Sequence, residues 1–301
     1  MSDNYLQQNL SEIGEFQKQY GMMLLFEDTP EMPASDAVRE ALLKRFPDGV
    51  EKAADAEGFS VYTITNLITE YEDGSKVSAQ LLLGEPMLFD GSEMDALSRT
   101  QQWDCPDSEK LLGKAKYKLL FSDAMASDLP YIQRCEMLTL WSETMVELFP
   151  QCIGVWFPAS GKLLTPEQIK DNPYEGAERF LHGGLNIRYF AIQGSRDYLV
   201  DTVGLYAVGL PDVQYHFNTL DPEDVVNHAF SVASYQFSED APIESGETVD
   251  GFSAKNPEKG NNPEIQWPCQ HQESLLQPKR EVLDVQPGRF AAGAGTKGKK
   301  R

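Results

Sequence analysis

Apolar and polar positions alternate along the chain in runs that predict a mixed architecture. Gly21 to Phe26 is a continuous apolar run of strand length, broken at Glu27-Asp-Thr-Pro30. Ser35-Asp36 reads as the cap of a helix carrying Val38, Leu42, Leu43 and Phe46 on one side, with Pro47-Asp48-Gly49 closing it. Phe59 to Thr65 and Val77 to Leu83 follow as strands across the turn Tyr71-Glu-Asp-Gly-Ser75. Ahead of this run, Leu10, Ile13 and Phe16 stand at the spacing of a short leading helix.

After a polar connector from Asp90 to Lys110 the order repeats. Tyr117 to Phe121 is a strand, and Pro130 opens a helix through Cys135, Leu138, Trp141 and Met145. Cys152 to Phe157 is the next strand, and Thr165-Pro166 pairs an N-cap with a first-turn proline. Both helices close on Phe-Pro, at Phe46-Pro47 and Phe149-Pro150, so the pattern predicts two related strand-helix-strand units. A C-terminal α+β module follows. Strands are expected over Leu185–Gln193, Tyr198–Val208 and Val213–Phe217, and a helix from Leu220-Asp-Pro-Glu223 through Phe237. The expected fold class is α+β, divided into residues 1–110, 111–250 and an extended, largely disordered tail over 251–301. That tail is rich in Pro, Gly, Asn, Gln and Lys, and Gly288 to Arg301 carries five basic residues and no acidic one.

Composition narrows the partners. Of 301 residues, 26 are Lys or Arg and 47 are Asp or Glu, a net charge of -21. That charge repels phosphate backbones and anionic lipid alike, so neither nucleic acid nor membrane is the expected partner. A basic protein is. No apolar window approaches the length of about 18 residues that a membrane helix needs, and the N-terminus lacks the pattern of a secretory signal. Four scattered cysteines fit a reducing compartment, and a cytoplasmic location is expected.

Chemistry-bearing residues are sparse. His216, His228 and Asp212 fall on neighbouring elements and are weak candidates for an acid-base pair or a mononuclear metal site; otherwise Asp212 caps a turn through its carboxylate. Glu27-Asp28 and Asp123 follow equivalent strands, where an acidic rim is expected. Gly194-Ser-Arg-Asp197 lacks a nucleophile elbow, and His182-Gly-Gly-Leu185 lacks phosphate-loop spacing and reads as a tight turn. No cofactor is expected. Trp103 and Trp267 stand in polar contexts and are candidate anchors for a partner.

Asp201-Thr-Val-Gly204, Gly209-Leu-Pro-Asp-Val-Gln-Tyr-His-Phe217 and Pro222-Glu-Asp-Val-Val-Asn-His-Ala-Phe230 resemble a bacterial family catalogued as domain of unknown function 4261. With Trp156-Phe-Pro-Ala-Ser-Gly161 upstream, the resemblance spans roughly residues 115–250. The family is similar to small α+β proteins of toxin-immunity and secretion neighbourhoods. The family has no established activity to carry over. Together with the negative charge and the sparse catalytic motifs, the resemblance leads to the expectation of a non-enzymatic, acidic binding factor, an immunity protein for a basic toxin or effector. A hydrolase or metal-dependent enzyme with a site outside known motifs, or a scaffold component of a secretion assembly, are the alternatives.

Overall fold

In the computed structural model residues 17–53, 58–70, 74–255 and 260–292 are described, and they divide into a unit of residues 17–186 and another from residue 187 onward. The first unit contains β1 (Gly21–Phe26), α1 (Ser35–Arg45), β2 (Val50–Lys52), β3 (Phe59–Glu70) and β4 (Lys76–Leu88). It continues with α2 (Ala96–Arg99), α3 (Ser108–Lys114), β5 (Tyr117–Ala124) and α4 (Tyr131–Leu148). β6 (Gly154–Phe157), β7 (Lys162–Leu164), α5 (Pro166–Lys170) and α6 (Arg179–Gly184) complete it. Its strands form one seven-stranded sheet in the order β2-β3-β4-β5-β1-β6-β7, antiparallel throughout.

β1 sits near the middle, which explains its unbroken apolar run: both of its faces are covered. Phe26 packs edge-to-face on Phe149 after α4, with centroids 5.8 Å apart. On the opposite face Leu25 joins Phe89, Met94, Leu112, Trp156 and Leu163 in a buried cluster.

The two Phe-Pro helix ends are alike in detail. Phe46 and Phe149 are the C-caps of α1 and α4, with φ/ψ of -122/73 and -119/73 degrees, and each amide donates to the last turn. The topology around them does not repeat. The strand flanking the central β5–β1 pair is the last of the first run, β4, but the first strand after the helix in the second run, β6. β5 lies between β4 and β1, so the expected boundary at 110/111 would cut hydrogen-bonded neighbours and the two expected units are one sheet. Locally, Thr165 forms a capping box with Gln168, as its sequence predicts. The cap of α1 is Ala34, whereas Ser35 Oγ pairs with Tyr62 Oη instead.

The second unit holds β8 (Asn186–Ala191), β9 (Asp197–Val203), β10 (Asp212–Asn218), α7 (Pro222–Ser238), β11 (Thr248–Phe252), β12 (Asn261–Glu273) and β13 (Glu281–Val285). The sheet order is β11-β12-β13-β10-β9-β8, with β10 and β13 parallel. Asp221 caps α7 by accepting from the Glu223 amide, and Pro222 occupies the first turn. The helix buries Val225, Ala229, Val232, Ala233 and Phe237, a stripe at helical spacing, against β9 and β10.

The expectation of a disordered tail from residue 251 is corrected here. β12 and β13 are integral to the sheet, and β13 lies between β12 and β10. Residues 293–301, and the expected leading helix around Leu10 to Phe16, lie outside the described residues. The mixed α+β class stands. No described helix is long and apolar enough to cross a membrane.

Candidate functional site

Asp212, at the start of β10, turns its carboxylate into the unit and is fully buried. It accepts from Thr202 Oγ1 at 3.0 Å and from the Gly204, Leu205 and Tyr206 amides at 3.2 to 3.4 Å. It therefore caps the turn at 204–206 rather than the Gly209-Leu-Pro turn beside it. Arg280 Nε adds a charged donor at 3.0 Å. The same guanidinium reaches Asp201 Oδ2 at 2.7 Å, and Arg188 grips Asp201 with two bonds of 2.9 and 2.6 Å. Two aspartates and two arginines thus alternate in a buried chain of zero net charge. Remaining guanidinium donors go to the Thr202, Gln277 and Pro278 carbonyls, which ties residues 277–280 to β8 and β9. Burial pushes the Asp212 carboxyl above its usual range, against the pull of Arg280 and Thr202. The donors around it leave little for a substrate to take.

The two histidines do not join Asp212. Successive residues of β10 point to opposite faces, so Asp212 and His216 share one face and Tyr215 the other, and His228 packs against Tyr215. His216 is half-buried, with Asp197 Oδ2 4.0 Å from its Nε2. His228 is buried among Tyr215, Phe252 and Trp267, and burial holds its imidazole below the usual value. The structure therefore separates the expected triad, and no group of three metal-ligating side chains occurs among the described residues.

Other expectations resolve similarly. Trp267 is 2% exposed and packs on Phe252 and His228, so it is a core residue and not an anchor for a partner. A Cβ on Gly251 would come within 2.5 Å of its ring, so the glycine is what admits the indole. Trp103, in the first unit, is 60% exposed and stays available. Glu27 and Asp123 lie at opposite ends of the antiparallel β1–β5 pair and form no rim together. Glu27 pairs with Lys114 at 2.7 Å, whereas Asp123 is buried against Arg134 at 2.6 Å and accepts the Tyr20 amide. His182-Gly-Gly lies in α6 rather than in a tight turn, and a Cβ on Gly183 would meet Phe157 at 2.4 Å.

What the sequence reading missed lies in the second unit. Residues 197–254 contain eleven Asp and Glu and no Lys or Arg. A groove of about 780 Å³ is lined by residues of this run, from the C-terminal half of α7, the loop after it and β11, together with Asn261. Tyr235 and Val249 supply apolar surface above the nearly buried Val232 and Ile243, and Glu247 and Asp250 supply carboxylates. Tyr235 is 52% exposed. The loop is fixed from below by His271, whose Nδ1 meets Glu281 Oε1 at 2.5 Å and whose Nε2 meets the Ile243 carbonyl at 2.7 Å. Both ring nitrogens face acceptors, an arrangement that favours the doubly protonated ring, and the Glu281 hydrogen bond raises the imidazole above its usual value. The run without cations was visible in the sequence; its concentration around one groove was not.

No curated protein and no solved structure matches the chain. A family model does match one segment, and that segment includes the whole of α7 and of β11 to β13, the elements that build the groove and its support. Residues 201–286 match the family described as a domain of unknown function, DUF4261.

Proposed function

We propose that the protein is a non-enzymatic, acidic protein-binding factor whose partner is a basic protein, and that it acts as an immunity factor by occupying a toxin or effector of that charge. The groove between α7 and β11 carries this reading. It combines apolar surface with carboxylates in a stretch of chain that has no Lys or Arg to neutralise them. Apolar contact supplies affinity at such a surface, and the surrounding negative field speeds the encounter with a cation-rich partner and disfavours acidic competitors. The groups that resemble acid-base machinery in the sequence are committed elsewhere. Asp212 is bonded to Arg280 and three amides, and both nitrogens of His228 are occupied.

Capture from the native cell with tagged protein tests this. Wild-type protein and the charge-reversed variant E244K/E247K/D250K are compared at equal folded concentration. These three side chains are exposed, so reversal leaves the core intact. The expected result is a basic partner retained by the wild type and lost by the variant, with retention falling as salt is raised. An identical set of captured proteins, or an acidic partner indifferent to the reversal, contradicts the reading.

A further inference from the structure

β11 is an edge strand: among the described residues its only neighbour in the sheet is β12. Its hydrogen-bonding direction can be assigned residue by residue. The Glu247 carbonyl accepts from the Cys269 amide and so points inward. Thr248 stands opposite Pro268, which has no amide hydrogen and whose carbonyl accepts from the Gln286 amide on the other side. The Asp250 carbonyl accepts from His228 Nε2 at 2.7 Å, away from β12. Backbone polarity alternates along a strand, so Thr248 and Asp250 both direct their amides to the outer edge, beside the groove.

We infer that the groove receives an extended, Lys- or Arg-bearing segment of the partner as an additional strand on β11. The inference rests on the reading that the partner is basic, and it adds how that partner is held. The edge offers an extended segment the Thr248 backbone and the Asp250 amide, the Asp250 carbonyl being held by His228, while side chains alternating to either side select among segments. Here the selection is by charge and by apolar contact. Glu244, Glu247 and Asp250 surround the edge, and Tyr235 and Val232 of α7 stand across the groove from it. The same carboxylates decide against a second copy of this chain as the occupant. Pairing β11 with itself would bring these acidic residues against their own copies, and like charges across a strand pair are destabilising.

The test uses the full chain and a short synthetic peptide of alternating Lys and Val. Two further peptides carry the same sequence, one N-methylated at every Lys nitrogen and the other at every Val nitrogen. Affinity is measured at low salt, and amide hydrogen exchange is read at Thr248 and Asp250. The expected result is binding of the unmodified peptide with exchange at both amides slowed by about tenfold or more. One N-methylated peptide should lose about tenfold or more in affinity, and the other should bind like the parent. Equal binding of all three peptides, or binding without protection of Thr248 and Asp250, overturns strand addition while leaving a basic partner held by charge alone. Failure of every peptide to bind also overturns it, and the capture experiment then decides the broader reading independently.

Discussion

Tyr215 Oη and His228 Nδ1 lie 2.7 Å apart, and the carbonyl on the far side of the imidazole decides which way this bond runs. Nε2 faces the Asp250 carbonyl at 2.7 Å, an acceptor only, so Nε2 donates and Nδ1 accepts from the tyrosine hydroxyl. One neutral side chain thereby joins β10, α7 and β11. It holds in place the helix and the strand that wall the groove.

Replacing His228 with alanine removes that joint, leaving the Tyr215 hydroxyl and the Asp250 carbonyl without their partner beside a cavity against Trp267. The expected loss is about 2–4 kcal/mol of stability, combining lost packing with unsatisfied polar groups. Urea unfolding of H228A checks it, and a loss under about 0.5 kcal/mol, the scale of an ordinary surface change, contradicts it.

Two histidines of the same unit should tilt stability with pH in opposite directions. The folded-state value of His271 is raised, so its contribution is complete below about pH 6.5 and is lost as pH rises through the folded-state value. That of His228 is lowered, so its contribution is complete above about pH 6.5 and is lost as pH falls through the folded-state value. Urea midpoints measured across pH should show H271Q removing the alkaline-side decline and H228A removing part of the acid-side decline. An unchanged alkaline slope in H271Q contradicts the assignment.

Arg280 neutralises two buried carboxylates, Asp201 at 2.7 Å and Asp212 at 3.0 Å. Substitution R280M keeps much of the volume but leaves Asp212 without a cationic partner and Asp201 with Arg188 alone. Breaking such a buried pair from one side costs about 3–5 kcal/mol. The loss should be relieved in part by the additional change D212N, which removes the stranded charge. If R280M and R280M/D212N are equally stable, the network is not electrostatically coupled.

All four cysteines are buried, and burial pushes every thiol up, Cys152 and Cys269 to about 12. Folded protein at mildly alkaline pH should therefore react with a thiol reagent only as fast as it opens. Unfolding in urea should release four titratable thiols. A thiol that reacts promptly in the folded protein contradicts this burial.

Most of the first unit could be read from its sequence because its elements are marked by local rules. β1 is a run of apolar residues because it is covered on both faces, and the ends of α4 and α5 carry Phe-Pro and Thr-Pro signals, as α7 of the second unit carries Asp-Pro. β12 escaped because Asn261-Asn-Pro-Glu-Ile-Gln-Trp-Pro-Cys-Gln-His-Gln-Glu273 buries only Trp267 and Cys269, too few to stand out as a strand. The Arg188, Asp201, Asp212 and Arg280 chain has no periodicity; only the juxtaposition of β8, β9 and β10 with the segment before β13 pairs them. His228 could be located on a helix face, but its tautomer depends on a carbonyl of β11 that no spacing rule predicts. The order of strands around β5 and β1 was likewise beyond local pattern, since sequence neighbours are not sheet neighbours there.

A titration of isotopically labelled full-length protein with the alternating Lys-Val peptide, followed by backbone amide shifts, tests the central claim most directly. The account predicts saturable changes centred on Ser231 to Tyr235, Ile243 to Asp250 and Asn261, diminished by added salt and absent in E244K/E247K/D250K. Saturable changes centred elsewhere, or an unaltered response in the charge-reversed protein, would contradict it.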